Sequence, residues 1–251
     1  VFAKPEARIR LGVIAAVLIV WEIAGRFFVD PSLFAPPSKV LAAWWPTIAG
    51  DPKLASAILI ALGEIVAAFA LSVVVGIAVG VAIGINNFGR ITLFPFVLLL
   101  WGLPQVVFLP LVILIFGIGP PSRIAFGFTH AVLPVIVNTV AGMRDVNPLY
   151  LASARAGGAS QAQVLRHVIF PNMVASVFTG LRLAMTLTLL GVVLAELFVS
   201  TNGIGSYTQL LADTFKPASL LALVLTLALI AVVANELVRM VESRFTRWKE
   251  G

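Results

Sequence analysis

Inside the apolar runs of this chain stand a few side chains that could do chemistry: Glu64, Gln105, Asn138, Arg182, Glu196 and Asn235, with Glu22 and Glu236 nearer the ends of their runs. A polar or ionised group in hydrocarbon is costly, so residues of this kind mark solute paths, ion pairs or contacts between helices. Gln105, with Phe108 close behind it, Asn138, Arg182 and Glu196 are the candidates for a translocation path or its gate. Each also has a plainer reading. Glu64 could reach the outer interface, Arg182 could neutralise a lipid phosphate or a carboxylate of a neighbouring span, and Asn138 could bond one helix to another. Other chemistries are excluded more directly. His130 and His167 stand 37 positions apart and the chain has no cysteine, so no metal-ligand spacing and no catalytic constellation is present. There is also no Gly-Lys pair, and hence no phosphate-cradling P-loop.

The elements that must position these residues are membrane helices. Hydrophobic residues make up 60% of the 251 positions, charged residues 11%, and mean hydropathy is +1.07. A helix needs roughly 20 mainly apolar residues to cross a bilayer. Six segments approach that length: Leu11–Phe28, Ala57–Ile85, Ile91–Ile118, Ile124–Met143, Val174–Val199 and Leu220–Val241. The runs are continuous rather than alternating, which argues for an all-α multi-pass bundle and against a membrane barrel. Residues 1–251 read as a single transmembrane domain whose first run is a retained span, since it lacks a small-residue cleavage site.

If the N-terminus is cytoplasmic, eleven basic residues fall inside and five outside, with Arg182 near a membrane end. Both termini are then cytoplasmic. The pI of 10.3 reflects this topology and anionic lipid headgroups rather than nucleic acid. Gly76, Gly80 and Gly84 line one face of the second span and predict a close helix contact there. Pro95, Pro104 and Pro110 remove helix hydrogen bonds from the third span and predict a broken segment beside a cavity. Arg182 and Glu196 lie 14 residues apart, about 21 Å along a helix, too far to pair with each other.

One stretch, "LASARAGGASQAQVLRHVIFPN" (Leu151 to Asn172), is too polar for the membrane interior. It forms the centre of a cytoplasmic loop at about 144–173. Asn147 can cap a helix opened by Pro148. Gly157 and Gly158 can end it, and Ser160 with Gln163 forms a capping box for a second helix. Pro171 marks the way into the next span. Ala152, Ser153, Ala154 and Ala156 leave the first helix nearly smooth, suited either to lying at the headgroups or to fitting a groove in a cytoplasmic partner.

This loop resembles that of the permease subunits of bacterial ABC importers, the binding-protein-dependent inner-membrane components. Ala152, Ser153 and Ala154 stand at the positions of that family's E-A-A motif, Gly158 at its glycine, and Val168 to Pro171 at its end, with Ala159 and Ser160 between them. "LFAPPSKVLAAW", "LFPFVLLLWGLPQVVFLPLVILIFGIG", "GLRLAMTLTLLGVVLAEL" and "TNGIGSYTQLLADTF" look like the nitrate, sulfonate and taurine branch. The motif glutamate is replaced by Ala152. The resemblance implies the type I importer fold and a pore of two permease chains, taken as a homodimer. It implies two cytoplasmic ATPase subunits that supply the ATP and Mg chemistry, with no cofactor in this chain. It also implies an external binding protein, periplasmic or extracellular, and residence in the bacterial cytoplasmic (inner) membrane. The solute it implies is a sulfonate, taurine or nitrate, with a thiamine-precursor pyrimidine or riboflavin as alternatives within the same role. A stand-alone carrier or channel is the competing class, though no internal repeat is visible.

Overall fold

A computed structural model describes residues 5–199 and 203–246, with the side chains of 5–7, 199 and 246 outside the description. Lys4, Arg247 and Lys249, counted above among the cytoplasmic basic residues, and Thr201 and Asn202 lie outside the described residues. The described residues hold helices and no strand. The chain divides into two compact units, Val1–Leu59 with Thr201–Leu229, and Ile60–Ser200 with Ile230–Gly251.

In the first unit, α1 (Pro5–Phe27) is followed by α2 (Pro37–Ala49), which opens on the Pro36-Pro37 pair because a proline at the first helical position lacks only an N–H that would be orphaned anyway. Glu22 ties the two together, accepting from the Ser38 backbone at 3.0 Å and its hydroxyl at 2.7 Å while pairing with Arg26 one turn on. That pairing makes the two charges tolerable near the end of an apolar helix. Trp21 Nε1 donates to Ala35 O at 3.1 Å. The unit also holds α10 (Ile204–Asp213) and the start of α11 (Pro217–Thr246), where Trp44 Nε1 donates to Thr226 Oγ1 at 2.8 Å over a small core of Ala35, Val40 and Ala222.

The second unit is built on α6 (Pro120–Arg144) and α9 (Phe170–Val199), which run antiparallel with glycine at the crossing points. A Cβ added at Gly142 would lie 2.8 Å from Ser176 Cβ, at Gly180 2.7 Å from Asn138 Cβ, and at Gly191 3.0 Å from Gly127 Cα. α3 (Pro52–Gly84) packs parallel to α6 through the expected glycine face. Cβ atoms at Gly76 and Gly80 would lie 2.6 Å from those of Val135 and Thr139, and one at Gly84 2.5 Å from Met143 Sδ. Around these contacts Ile65, Ala68, Val135, Leu181 and Val192 form the core.

Between α3 and α6 the third apolar segment, expected at Ile91–Ile118 and expected to be broken at its prolines, is a sharply bent pair of helices. After a π-turn at Gly89–Leu93 come α4 (Phe94–Gly102), a 3-10 turn (Gln105–Phe108) and α5 (Leu109–Phe116), and the two halves are bent by 89°. Pro104 cannot donate into the ladder and pushes Leu103 into the extended region, with ψ of 142°.

By length and composition the described residues contain four helices able to cross a membrane, or five if the bent pair counts as one. The first expected span, α1, has 23 residues, but any 18 consecutive ones contain at least three of Glu6, Arg8, Arg10, Glu22 and Arg26. The helices begin and end within a turn or two of the expected bounds.

Candidate functional site: a buried ion trio and a capped loop

Three helices of the second unit bring their ionised groups to one place. Gly117 and Gly119, with φ of 76° and 138°, turn the chain into α6, whose first turn carries Arg123. A cation there faces the positive end of the helix dipole and needs compensation. Arg123 Nη1 donates to Glu196 Oε1 on α9 at 3.1 Å, and Nη2 lies 3.1 Å from Glu64 Oε1 on α3. All three are buried, Glu196 completely and Glu64 to 4% exposure. Arg123 Nε and both Glu64 oxygens have no aligned hydrogen bond, so the trio is held by charge more than by directed bonding. The expectation that Glu64 reaches the outer interface is therefore corrected. It is an internal counter-ion, because Arg123 offers it a closer partner than water.

Arg123 is the residue that sequence reasoning missed. It was legible as a depth argument: in a bundle that crosses back and forth, the first half of α3, the start of α6 and the end of α9 lie at one level, and each carries a charge.

Arg182 and Glu196 do not meet, and each finds a partner on another helix. Arg182 Nη1 pairs with Glu242 of α11, and its Nη2 donates to Thr179 Oγ1 at 3.4 Å. Asn138 donates to Pro134 O at 2.9 Å within its own helix and sits where Gly180 makes α9 approach. Gln105 Nε2 donates to Leu100 O at 3.1 Å, satisfying a carbonyl next to the break, while Phe108 is half-buried at the end of the 3-10 turn. The structure does not gather these five into one cluster.

The loop between α6 and α9 is built by its caps. α7 (Pro148–Ala156) begins where Asn147 Oδ1 accepts from Leu149 N at 2.9 Å. It ends in a Schellman turn: Gly158 N donates to Arg155 O and Ala159 N to Ala154 O, each at 3.0 Å, with Gly158 at φ 78°. Ser160 and Gln163 form the full capping box of α8 (Gln161–Val164), with bonds of 2.8 and 3.3 Å. From there the chain continues through a π-turn (Leu165–Ile169) into α9 without a break, so Pro171 lies in the first turn of α9 and the second short helix is an extension of the fifth span. A hollow of about 320 Å³ opens between the two pieces, lined by Ala154, Gly157, Gly158, Ala159, Gln163, His167 and Val168. Ala152 and Ser153 are exposed beside it. Leu149 and Tyr150, exposed by 65% and 53%, add apolar surface that the motif reading had passed over.

Known proteins share this architecture. The chain is 31% identical over 248 residues to the taurine transport system permease protein TauC of Escherichia coli, covering 97% of this chain and 90% of the relative. It is 29% identical over 228 residues to the nitrate import permease protein NrtB of Synechocystis, with 88% and 81% covered. Its fold matches the MetNI methionine ABC transporter, solved in inward facing conformations, with a TM-score of 0.68 at 15% identity over 77% of this chain and 96% of that one. Residues 72–247, which hold Arg123, Glu196, the capped loop and Arg182, match the binding-protein-dependent transport system inner membrane component, and the chain belongs to that family.

Proposed function

We propose that this permease forms, with a second copy of itself, the translocation pathway of an ATP-driven importer in the bacterial inner membrane. Its solute is a small acid such as a sulfonate, taurine or nitrate, delivered by an external binding protein. The observation that carries the reading is the loop Pro148–Val164, where two caps and one Schellman turn hold a smooth helix and a hollow in fixed register. A groove in a cytoplasmic ATPase can grip such a shape, and α8 continues into α9, so a push on the loop is delivered to a spanning helix. Hydrolysis then belongs to two separate ATPase subunits that carry ATP and Mg, and the permease itself is non-catalytic. Gln105, Phe108, Asn138, Arg182 and Glu196 are the proposed path and gate residues. Ala152, Ser153, Ala154, Gly158, Ala159, Ser160 and Pro171 are the proposed coupling set. With both termini in the cytoplasm, Glu196 stands toward the outer end and Arg182 toward the inner one. A pyrimidine precursor of thiamine or riboflavin is the alternative cargo.

Coupling is tested at Gly158. A side chain in its left-handed conformation costs roughly 1–2 kcal/mol, and Gly158→Leu should open the turn while leaving membrane insertion intact. In proteoliposomes with the ATPase and the binding protein, uptake should fall at least tenfold while ATP hydrolysis continues. Uptake at the unaltered rate would remove the loop from coupling.

A further inference from the structure

In the first unit, α2, the start of α3, α10 and the start of α11 surround a pocket of about 440 Å³ that neither the ion trio nor the loop accounts for. Its depth is fixed by two residues of its lining. Asp51 directly precedes α3 and Lys216 directly precedes α11, and both helices are long and apolar enough to cross a membrane. The pocket therefore lies where these spans leave hydrocarbon for headgroups. α2 suits the same level, because its outward residues Leu41 and Trp45 are exposed by 63% and 72%, and tryptophan collects at membrane interfaces.

The two charges line one cavity without pairing, either with each other or with another of the described residues. Asp51 is held as the cap of α3, its Oδ1 accepting from Lys53 N at 2.9 Å, and the Tyr207 hydroxyl donates to the same carboxylate. A carboxylate has about four lone-pair sites, so room remains for a cation. Lys216 is placed by a strained turn. Phe215 before it has φ of 51°, a left-handed conformation that costs a side chain roughly 1–2 kcal/mol, and Lys216 N closes the turn by donating to Leu211 O at 3.0 Å. Its exposed ammonium offers its donors to a ligand. On the same lining Thr47 Oγ1 donates to Ser219 Oγ at 3.1 Å, which leaves the Ser219 hydrogen as one further donor. An acceptor for a cation and donors for an anion, in one pocket at headgroup level, fit a lipid head that carries both. We propose that the pocket seats the head of a phosphatidylethanolamine, its ammonium on Asp51 and its phosphate on Lys216 and Ser219, while Leu210, exposed on the lining, borders its chains. A choline head has no N–H to give the carboxylate, and a glycerol head has no cation. The inference needs only that α3 and α11 span the membrane and is independent of the cargo.

The test uses the purified full-length permease in phosphatidylcholine nanodiscs that carry a trace of photoreactive lipid, with mass spectrometry to map the cross-linked peptides. Photoreactive phosphatidylethanolamine should label residues 43–51 and 207–219 about tenfold more than photoreactive phosphatidylcholine with the same chains, the worth of one hydrogen bond to a charged group. The outward face of α3 at Val66 and Val74, which is apolar and exposed, should take up both probes equally. Asp51→Asn keeps a side chain able to cap α3 and should erase the preference for ethanolamine. Lys216→Gln, at an exposed position, should lower pocket labelling by both lipids about tenfold. The two probes compared on the unaltered chain decide the matter even if a variant fails to fold. Equal labelling of the pocket by both probes, or a preference that survives Asp51→Asn, overturns the proposal. So does labelling by neither, the result expected if a second copy or a protein loop fills the pocket instead.

Discussion

One guanidinium is shared by two carboxylates at the crossing of α3, α6 and α9, and the energetic consequences are unequal for the three residues. Removing the cation leaves two buried carboxylates facing each other at the same point, whereas neutralising one carboxylate leaves a complete pair. Breaking a buried pair by removing one partner costs about 3–5 kcal/mol, so Arg123→Gln should lower the thermal midpoint of the purified permease steeply. Glu64→Gln should cost far less, because Glu196 retains the hydrogen bond of 3.1 Å. A melting experiment showing the reverse order would mean that Glu64, not Glu196, is the principal counter-ion. Ala152 poses a different question at the same scale, since it stands where related loops carry glutamate. It is exposed at the side of α7 and no neighbour crowds it in this chain. Ala152→Glu is therefore expected to insert normally and to retain the ATPase on co-purification. Loss of the ATPase would show that the partner's groove is shaped for a methyl group.

At the scale of the element, glycine spacing was the most legible signal and proline spacing the next. Gly76, Gly80 and Gly84 foretold a close contact and the structure supplies the partner face, Val135, Thr139 and Met143 of α6, at the same four-residue period. Gly80→Leu should accordingly force α3 and α6 apart, because its first added carbon already falls 2.6 Å from Thr139 Cβ. Gly63→Leu, on the same helix with nothing within 4 Å, is the control. Overpacking costs roughly 1–3 kcal/mol, so the first variant should melt earlier and the second should not. The prolines foretold a disturbed third span, but not an 89° bend, because a missing donor says where a helix weakens and not which way the halves turn. The loop caps were readable residue by residue, since Asn147, Gly158, Ser160 and Gln163 act over three or four positions. The amphipathic helices α2 and α10 were not foreseen, being too short for a spanning pattern and too apolar to stand out from their surroundings. Arg123 escaped for the complementary reason. Its partners lie 59 and 73 positions away, and no local pattern connects them.

For the whole molecule the open quantity is direction, since hydropathy and packing are the same whichever end of a helix faces the cytoplasm. The distribution of basic residues breaks that symmetry: Arg144, Arg155 and Arg166 cluster around the capped loop, and Arg239 and Arg244 lie at the end of α11. Juxtamembrane cations are drawn to the negative cytoplasmic leaflet by about 1 kcal/mol each, so the loop should be cytoplasmic, as docking on an ATPase requires. The turn before α2 holds Asp30, Ser32 and no cation until Lys39, and should face the other side. Because the chain has no cysteine, single replacements report cleanly. Ser160→Cys should react with an impermeant maleimide only in inverted vesicles, and Ser32→Cys only in right-side-out ones. Both positions are exposed, so a failure to label cannot be blamed on burial. Labelling of Ser160→Cys from outside would invert the topology, detach the capped loop from any cytoplasmic motor, and place the buried ion trio at the inner end of the bundle.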